Sequence, residues 1–273
     1  MHGIFNSANA GAQAGTSRLA PNLADISAHL HALFEPDFVH SFPDAWIEIA
    51  FCRPDKKLNK AEIFSAFDLE GAAKFAFDTN KLGYNIYIGA ALRHGQKPKS
   101  GRANDTHFLA ARYCWAEYDN TGDHERITAI CKAEGLQPAF GVVTGTVPHQ
   151  RVHIYVLNAQ PITEADENRS CNKALKERFD SDDVDNPSRV MRLAGTVNYP
   201  KADKRLKGYP PVKWSSILLA TSSQTDANSS SSFLTTGSSA CSASFRNAAS
   251  VGGFFHDSLD EGPRGAGSSP PVR

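Results

Sequence analysis

Two carboxylates stand two residues apart in the segment WAEYD at residues 115–119, which reads as the end of a β-strand. Successive side chains of a strand point to opposite faces, so Glu117 and Asp119 are expected on the same face. Neighbouring carboxylates repel each other unless water or a cation separates them, and hard divalent cations prefer such oxygen ligands. The pair indicates a divalent-metal site, although a solvated strand end with two incidental acids has the same spacing.

A second candidate strand begins after the loop GTVPHQ at residues 145–150. Its alternation places Arg151, His153 and Tyr155 on one face and the aliphatic residues between them on the opposite, core-facing side. A histidine beside an arginine, away from the core, suits an anionic oxygen such as that of a triphosphate. A histidine–tyrosine pair on a wet sheet surface explains the same pattern equally well.

The third candidate is the segment DNPSRVMRLAGTVNYPK at residues 185–201. Asp185 opens a predicted helical turn, on which Arg189 and Arg192 would be neighbours because they are three residues apart. Gly195 permits a tight loop that ends near Lys201. This combination is typical of an element that handles phosphate, and a capped helix with solvated arginines is the alternative.

Together, the three segments resemble the three motifs of the archaeo-eukaryotic primase superfamily, in the same order and at similar intervals. The most similar branch is that of the RepB-like primases of plasmid, phage and integrated-element replication proteins. That branch has an acid-x-acid motif, then a histidine on a following strand, then a third acid before a basic RVMRLPGTxN segment. The corresponding segments here read WAEYD, PHQRVHIYV and DNPSRVMRLAGTVNYPK, within a resemblance that covers roughly residues 23–217.

Three positions depart from the pattern of that branch. Glu117 replaces a more common aspartate, Arg151 stands where a serine is usual, and Ala194 replaces a proline. Two further acids, Asp182 and Asp183, lie just before Asp185. The identity of the third acid therefore stays open between these three aspartates.

The resemblance implies a DNA primase–polymerase of a mobile element, a nucleotidyltransferase that uses nucleoside triphosphates on a single-stranded DNA template at replication initiation. It implies that Glu117, Asp119 and Asp185 hold Mg²⁺ or Mn²⁺ and that His153 contacts the triphosphate. The cations expected to support the triphosphate are Arg151, Arg189, Arg192 and Lys201. The basic segment at residues 201–213 would follow the template backbone, and a separate replicative helicase is the expected partner.

Two other functions are compatible with parts of the pattern. In a nicking initiator, His149 and His153 would bind a metal while Tyr155 or Tyr199 attacks DNA. The histidine pair of such enzymes is separated by one apolar residue, which this chain lacks. In a non-catalytic module that binds single-stranded or origin DNA, the complete set of acids would have no purpose.

The elements that must position these residues indicate an α+β fold. Alternating segments predict strands at residues 46–51, 84–92, 113–119, 139–144 and 151–157. Helical spacing predicts helices at residues 22–34, 69–82 and 123–134, and a fourth that starts at about 163 and ends at about 179. This order predicts a mostly antiparallel sheet with helices on one face. The resemblance adds an RRM-like sheet with an N-terminal αβ unit, which together form a primase–polymerase cleft.

Composition sets the remaining expectations. The chain has 273 residues with 29 basic and 29 acidic side chains, so net charge does not by itself indicate a nucleic-acid binder. Its five scattered cysteines form no CxxC pair, and no signal peptide or membrane span is recognisable, which predicts a cytoplasmic protein. We expect disordered segments at residues 1–20 and, rich in Ser, Gly and Ala, at 219–273. The catalytic domain is expected at residues 21–218.

Overall fold

The alternating segments form an antiparallel sheet in a computed structural model, which describes residues 19–210 and 213–219. Its strands are β1 (Trp46–Cys52), β2 (Lys60–Ser65), β3 (Asn85–Gly89), β4 (Leu92–Arg93), β5 (Phe108–Tyr118), β6 (Phe140–Gly145), β7 (Arg151–Ile162), β8 (Val190–Arg192), β9 (Val197–Asn198), β10 (Lys213–Trp214) and β11 (Ser216–Leu219). The order across the main sheet is β11-β6-β7-β5-β4-β1-β3-β8, with β2 also paired to β1, while β9 and β10 form a separate pair. The α+β class and the antiparallel sheet are confirmed.

Helices cover both faces of this sheet, whereas the sequence predicted them on one. The helices are α1 (Leu23–Leu33), α2 (Pro36–His40), α3 (Leu69–Lys81), α4 (Asp123–Glu134), α5 (Ala165–Phe179) and α6 (Ala202–Leu206). The side chain of Asn22 accepts hydrogen bonds from the first turn of α1, and that of Asp68 accepts one from α3, so both helices begin where the chain supplies a cap.

The central strand β5 separates two hydrophobic cores. Trp115 points into a core built with α1 and α3, and Cys114 points into a second core built with α4 and α5. Tyr155 of β7 also lies in the first core with no exposed surface, and His153 is buried beside it. The predicted solvent-exposed face of β7 is therefore wrong, because α1 covers it. Alternation of polar and apolar residues does not reveal such a cover.

The predicted helical turn after Asp185 is also wrong. Val190–Arg192 is instead the strand β8, which pairs with β3 at the edge of the sheet. The β-branched Val190 favours an extended backbone, and the free edge of β3 supplies its hydrogen bonds. Arg189 and Arg192 are consequently not neighbours on a helix.

The loop at Gly195 is held between the two ends of the described chain. The amide of Asn22 donates to the Gly195 carbonyl at 2.7 Å, and the amide of Gly195 donates to the Ser215 carbonyl at 2.8 Å. Gly195 has a φ of +75°, and a Cβ there would lie 2.5 Å from the Asn22 carbonyl oxygen. Only glycine fits this turn without strain.

The segments predicted to be disordered lie almost wholly outside the described residues. Within the described ranges, none of the helices combines the length and apolar character that a membrane crossing requires.

Candidate active site

Glu117 lies near the end of β5 between two basic side chains. Its Oε1 is 3.2 Å from His153 Nε2 on the paired strand β7, and its Oε2 is 3.3 Å from Arg189 Nη2. Burial opposes ionisation of this carboxyl, but the charges and hydrogen bonds of His153 and Arg189 outweigh it and lower the pKa of Glu117 to about 2. Glu117 is therefore an anion at neutral pH.

Asp119 follows the last residue of β5 and is also paired with cations. Its Oδ2 is 3.2 Å from Lys204 Nζ, and its Oδ1 is 3.6 Å from Arg151 Nε. Both cations lie over the ring of Tyr209, at 4.8 Å and 4.3 Å from its centroid. His149 contacts the main-chain carbonyl of Asp119. Sequence reasoning missed Tyr209, although an aromatic residue close after a basic segment is the type of signal that predicts such stacking.

Asp182 is the third acid that the structure brings towards β5. Its amide donates to the Glu117 carbonyl at 2.9 Å. Burial and then the negative charges of Glu117 and Asp119 raise the pKa of Asp182, which places its carboxyl within the field of both acids. The backbone of Asp182 is thus bound to the strand end that carries Glu117, and its carboxyl group is exposed to the charges of Glu117 and Asp119.

Asp185, the acid expected to complete the set, has different interactions. Its carbonyl accepts a hydrogen bond of 3.4 Å from Asn172 Nδ2. The hydrogen bond of Asp183 to Lys176, with added negative charge from Asp185, raises the pKa of that lysine. The role of Asp185 as a ligand stays a prediction, and the recorded contacts favour Asp182.

The donor set fits a hard divalent cation in chemical type. Glu117 and Asp119 offer carboxylate oxygens at one strand end with Asp182 near them, and oxygen donors are those that Mg²⁺ and Mn²⁺ prefer. Across residues 19–210 and 213–219, however, no three His, Cys, Asp or Glu side chains are already arranged as a metal-binding group. Basic side chains hold both carboxylates of β5, so a cation would compete with Arg189 and Lys204 for them.

The loop that carries Asp182 and Asp185 is anchored to β5 by a tryptophan that sequence reasoning placed on the strand but did not assign a partner. The indole Nε1 of Trp115 donates to the Val184 carbonyl at 2.8 Å, and its backbone amide donates to Asn172 Oδ1 at 3.0 Å. A buried indole N–H needs an acceptor, and this loop supplies one. The loop is thereby fixed to β5 at Val184, between Asp182 and Asp185.

Arg192, a predicted phosphate-binding cation, is held by an aromatic residue and acts electrostatically on its neighbours. The guanidinium of Arg192 lies 4.7 Å from the ring centroid of Tyr87, and its Nη2 is 3.1 Å from the Tyr87 hydroxyl. Its charge, after burial, also lowers the pKa of Arg151. The charges of Arg192 and Lys201 both act on the thiol of Cys52, whose pKa burial raises. The charge of Arg192 thus acts on Arg151, and the charges of Arg192 and Lys201 act on one thiol.

The basic segment expected to follow the template has a more mixed structure. Lys204 pairs with Asp119, and Arg205 Nη1 donates to the Pro200 carbonyl at 2.8 Å. Lys207 is exposed at the end of α6. The side chain of Lys213 lies outside the described residues. Lys204 is thus part of the site itself.

Comparison with solved structures finds the same fold in the archaeo-eukaryotic primase domain of the primase–polymerase of cyanophage S-2L. The two chains are 24% identical, the match covers 74% of this chain and 92% of the phage domain, and the TM-score is 0.52. Two structures of primase RepB′ are each 18% identical. The match to one of them covers 73% of this chain and 56% of the RepB′ chain, with a TM-score of 0.46. The other, a catalytic domain in complex with initiator DNA, covers 70% and 82% with a TM-score of 0.43.

Neither the known family models nor the curated protein sequences give a match to this chain. The phage domain bears out the fold that the three motifs implied.

Proposed function

We propose that this chain is a DNA primase–polymerase, a nucleotidyltransferase that joins nucleotides on a single-stranded DNA template during replication of a mobile element. One observation carries the proposal: Glu117 and Asp119 stand at one end of β5, His153 and Arg189 contact Glu117, and the backbone of Asp182 is hydrogen-bonded to Glu117. The fold shared with a phage primase–polymerase domain supports it. A separate helicase as partner stays a prediction.

In this proposal Glu117 and Asp119 hold Mg²⁺ or Mn²⁺, with Asp182 or Asp185 as the third acid. When bound, the metal would supply charge neutralisation at the α-phosphate of a nucleoside triphosphate and lower the barrier to attack by a hydroxyl group.

The basic side chains bind and orient the triphosphate. Arg189 and Arg151 each lie against one carboxylate of β5, so phosphate oxygens that approach these acids meet both guanidinium groups. His153 is buried, and its Nε2 lies 3.2 Å from Glu117 Oε1. Charges fixed in a site with little water act strongly on charge that develops during phosphoryl transfer.

One observation favours a second candidate, a non-catalytic module that binds single-stranded or origin DNA. The structure pairs each carboxylate of β5 with two basic side chains, an arrangement that is stable without any metal. The nicking initiator has less support. Tyr155 has no exposed surface, and the Tyr199 hydroxyl donates to the Asn80 carbonyl at 3.2 Å, so neither is presented to DNA.

Incorporation of labelled nucleotides on a single-stranded template separates these functions. We expect oligomer synthesis by the unmodified chain with Mg²⁺ or Mn²⁺ and none with chelator, and a loss of at least about 100-fold for Asp119→Asn, since removal of a metal-binding carboxylate removes the charge that the reaction needs. Template binding should change little, because phosphate contacts are made by basic groups. Asp166→Asn, at an exposed acid in the first turn of α5, is the matched control.

The same assay assigns the third acid. If Asp182→Asn is inactive and Asp185→Asn is active, Asp182 completes the set, and the reverse pattern restores the original prediction. Undiminished synthesis by Asp119→Asn would show that the reaction does not depend on this site. DNA binding without synthesis would support the binding module, and a covalent DNA adduct would support the nicking initiator.

A further inference from the structure

A buried arginine and a buried glutamate lie outside the three motifs. Arg93 of β4 and Glu48 of β1 both have no exposed surface. Arg93 Nη1 donates to the Pro187 carbonyl at 2.8 Å, while its Nε and Nη2 and the Oε2 of Glu48 have no hydrogen-bond partner. Burial lowers the pKa of Arg93 to about 10, a shift that Glu48 opposes, so the guanidinium stays charged at neutral pH.

The loop after β4 supplies two further side chains, those of Arg102 and Asp105. Both bind Ser188, the residue that follows Pro187. Arg102 Nη2 donates to the Ser188 carbonyl at 3.2 Å, and Arg102 Nε donates to Glu48 Oε1 at 3.3 Å. The amide of Ser188 donates to Asp105 Oδ1 at 2.9 Å. Both main-chain groups of Ser188 are therefore bound by side chains of one loop.

The residue that follows is Arg189, whose guanidinium contacts Glu117 in the candidate site. The Arg189 carbonyl accepts a hydrogen bond of 3.4 Å from the amide of Ala90, next to β3. Its side-chain Nη2 is 3.3 Å from Glu117 Oε2. The carbonyl groups of residues 187, 188 and 189 thus each accept a hydrogen bond, and the side chain of Arg189 reaches into the site.

Stability alone does not explain this arrangement. Buried charged side chains with unpartnered donors and acceptors are expensive to desolvate, and well-packed apolar residues of similar volume are often as stable. What apolar residues do not provide is hydrogen bonds directed at particular carbonyl and amide groups. The arrangement therefore acts on the position of residues 187–189 more than on the stability of the fold.

We propose that Asp105, together with Arg93 and Arg102, is a positioning residue that fixes Pro187 and Ser188 so that the guanidinium of Arg189 reaches Glu117 and the incoming triphosphate. The proposal rests on the proposed function, because it assigns to Arg189 a contact with a nucleoside triphosphate. Asp105 itself accepts hydrogen bonds from the backbone amide of Ser188 and from the side chain of Arg169, and it acts on the site through Arg189.

A double-mutant cycle between Asp105 and Arg189 tests this. The dissociation constant of a deoxynucleoside triphosphate, measured by calorimetry, and KM and kcat for its incorporation are compared for Asp105→Ala, Arg189→Ala and the double variant. We expect each single variant to weaken triphosphate binding by about tenfold, the size of one charge-assisted hydrogen bond. The double variant should be no weaker than Arg189→Ala, because Asp105 acts through that side chain.

Two control variants share the surroundings of Asp105. Asp105→Asn keeps an oxygen acceptor for the Ser188 amide and should retain triphosphate affinity within about twofold of the parent. Asp166→Ala removes the other carboxylate bound to Arg169, whose Nη1 lies 2.6 Å from Asp166 Oδ1, and should leave affinity unchanged.

The cycle overturns the proposal if Asp105→Ala leaves triphosphate affinity unchanged, or if the two substitutions multiply to about 100-fold in the double variant. If Asp105→Ala does not fold, Arg102→Met, which removes the contact with the Ser188 carbonyl, replaces it in the same cycle with the same criteria. A parent chain that incorporates no nucleotide defeats the proposed function. If the parent is active but the substitutions of Asp105 and Arg189 affect triphosphate affinity independently, only the positioning role is defeated.

Discussion

Replacement of His29 by asparagine should remove a large part of the acid sensitivity of the fold. His29 lies on α1 with no exposed surface, and its Nδ1 accepts a hydrogen bond of 3.0 Å from the Ala194 amide. Its ring packs edge-on against Phe140 and Tyr155, each 5.7 Å away between centroids. Protonation of Nδ1 would both charge this apolar site and remove the acceptor that Ala194 needs.

The size of the effect follows from the pKa of the imidazole. Burial, with a smaller contribution from the charge of His153, lowers the pKa of His29 from 6.5 to about 3. Between these two values the unfolded chain binds a proton that the folded chain does not, so the free energy of unfolding falls by about 1.4 kcal/mol per pH unit as the pH decreases. The contribution of neutral His29 to the free energy of unfolding is fully present above pH 6.5, and about 3 kcal/mol of it is lost at about pH 4.5.

Urea unfolding at several pH values between about 7 and 4.5 measures this loss, and the difference in slope between parent and variant isolates the contribution of His29. Asparagine keeps an acceptor for the Ala194 amide but does not titrate. His29→Asn should therefore be less stable than the parent at neutral pH, and its free energy of unfolding should fall less as the pH decreases. His31→Asn, at an exposed histidine on the same helix, is the control and should keep the slope of the parent. Equal slopes for parent and His29→Asn would refute the reasoning.

Three further substitutions test other parts of the structure. Gly195→Ala should cost more than about 2 kcal/mol in urea unfolding, since alanine is strained at a φ of +75° and its Cβ would meet Asn22; a loss below about 0.5 kcal/mol would contradict the geometry of this turn. Asn80→Ala should cost about 2–4 kcal/mol in thermal unfolding, because the amide binds both the carbonyl and the amide of Val197, and an unchanged midpoint would argue against these bonds. His153→Ala should raise KM for nucleotides by about tenfold with little effect on template affinity, and an unaltered KM would remove His153 from the triphosphate site.

The alternation of residue types was sufficient to predict the strand that carries the acids. Glu117 and Asp119 stand at the strand end where the sequence placed them, Glu117 within β5 and Asp119 directly after it. The structure adds that Glu117 is paired with His153 of β7. Local sequence signals were enough to predict where α4 begins and ends. Asp123 lies in its first turn, and Gly135 ends it in a left-handed conformation.

What the sequence did not predict depends on contacts between distant segments. Asp182 and Asp185 lie in an irregular loop with no periodicity, and Trp115, more than 60 residues earlier in the chain, decides how this loop lies. The burial of His153 on a face that looked solvent-exposed depends on α1. Arg93 is buried, and its guanidinium donates to the Pro187 carbonyl, which lies 94 residues later in the chain.

The clamp on the Gly195 loop sets the shortest fragment in which the candidate site has its supports. The loop lies between Asn22 and Ser215, which are 193 positions apart in the chain, and each supplies one main-chain hydrogen bond to the same glycine. A fragment that begins after Asn22 or stops before Ser215 would keep every acid and every cation named in the candidate site and still lose the scaffold behind them. Expression boundaries drawn from the motifs alone would therefore yield a domain that is complete in chemistry and incomplete in architecture.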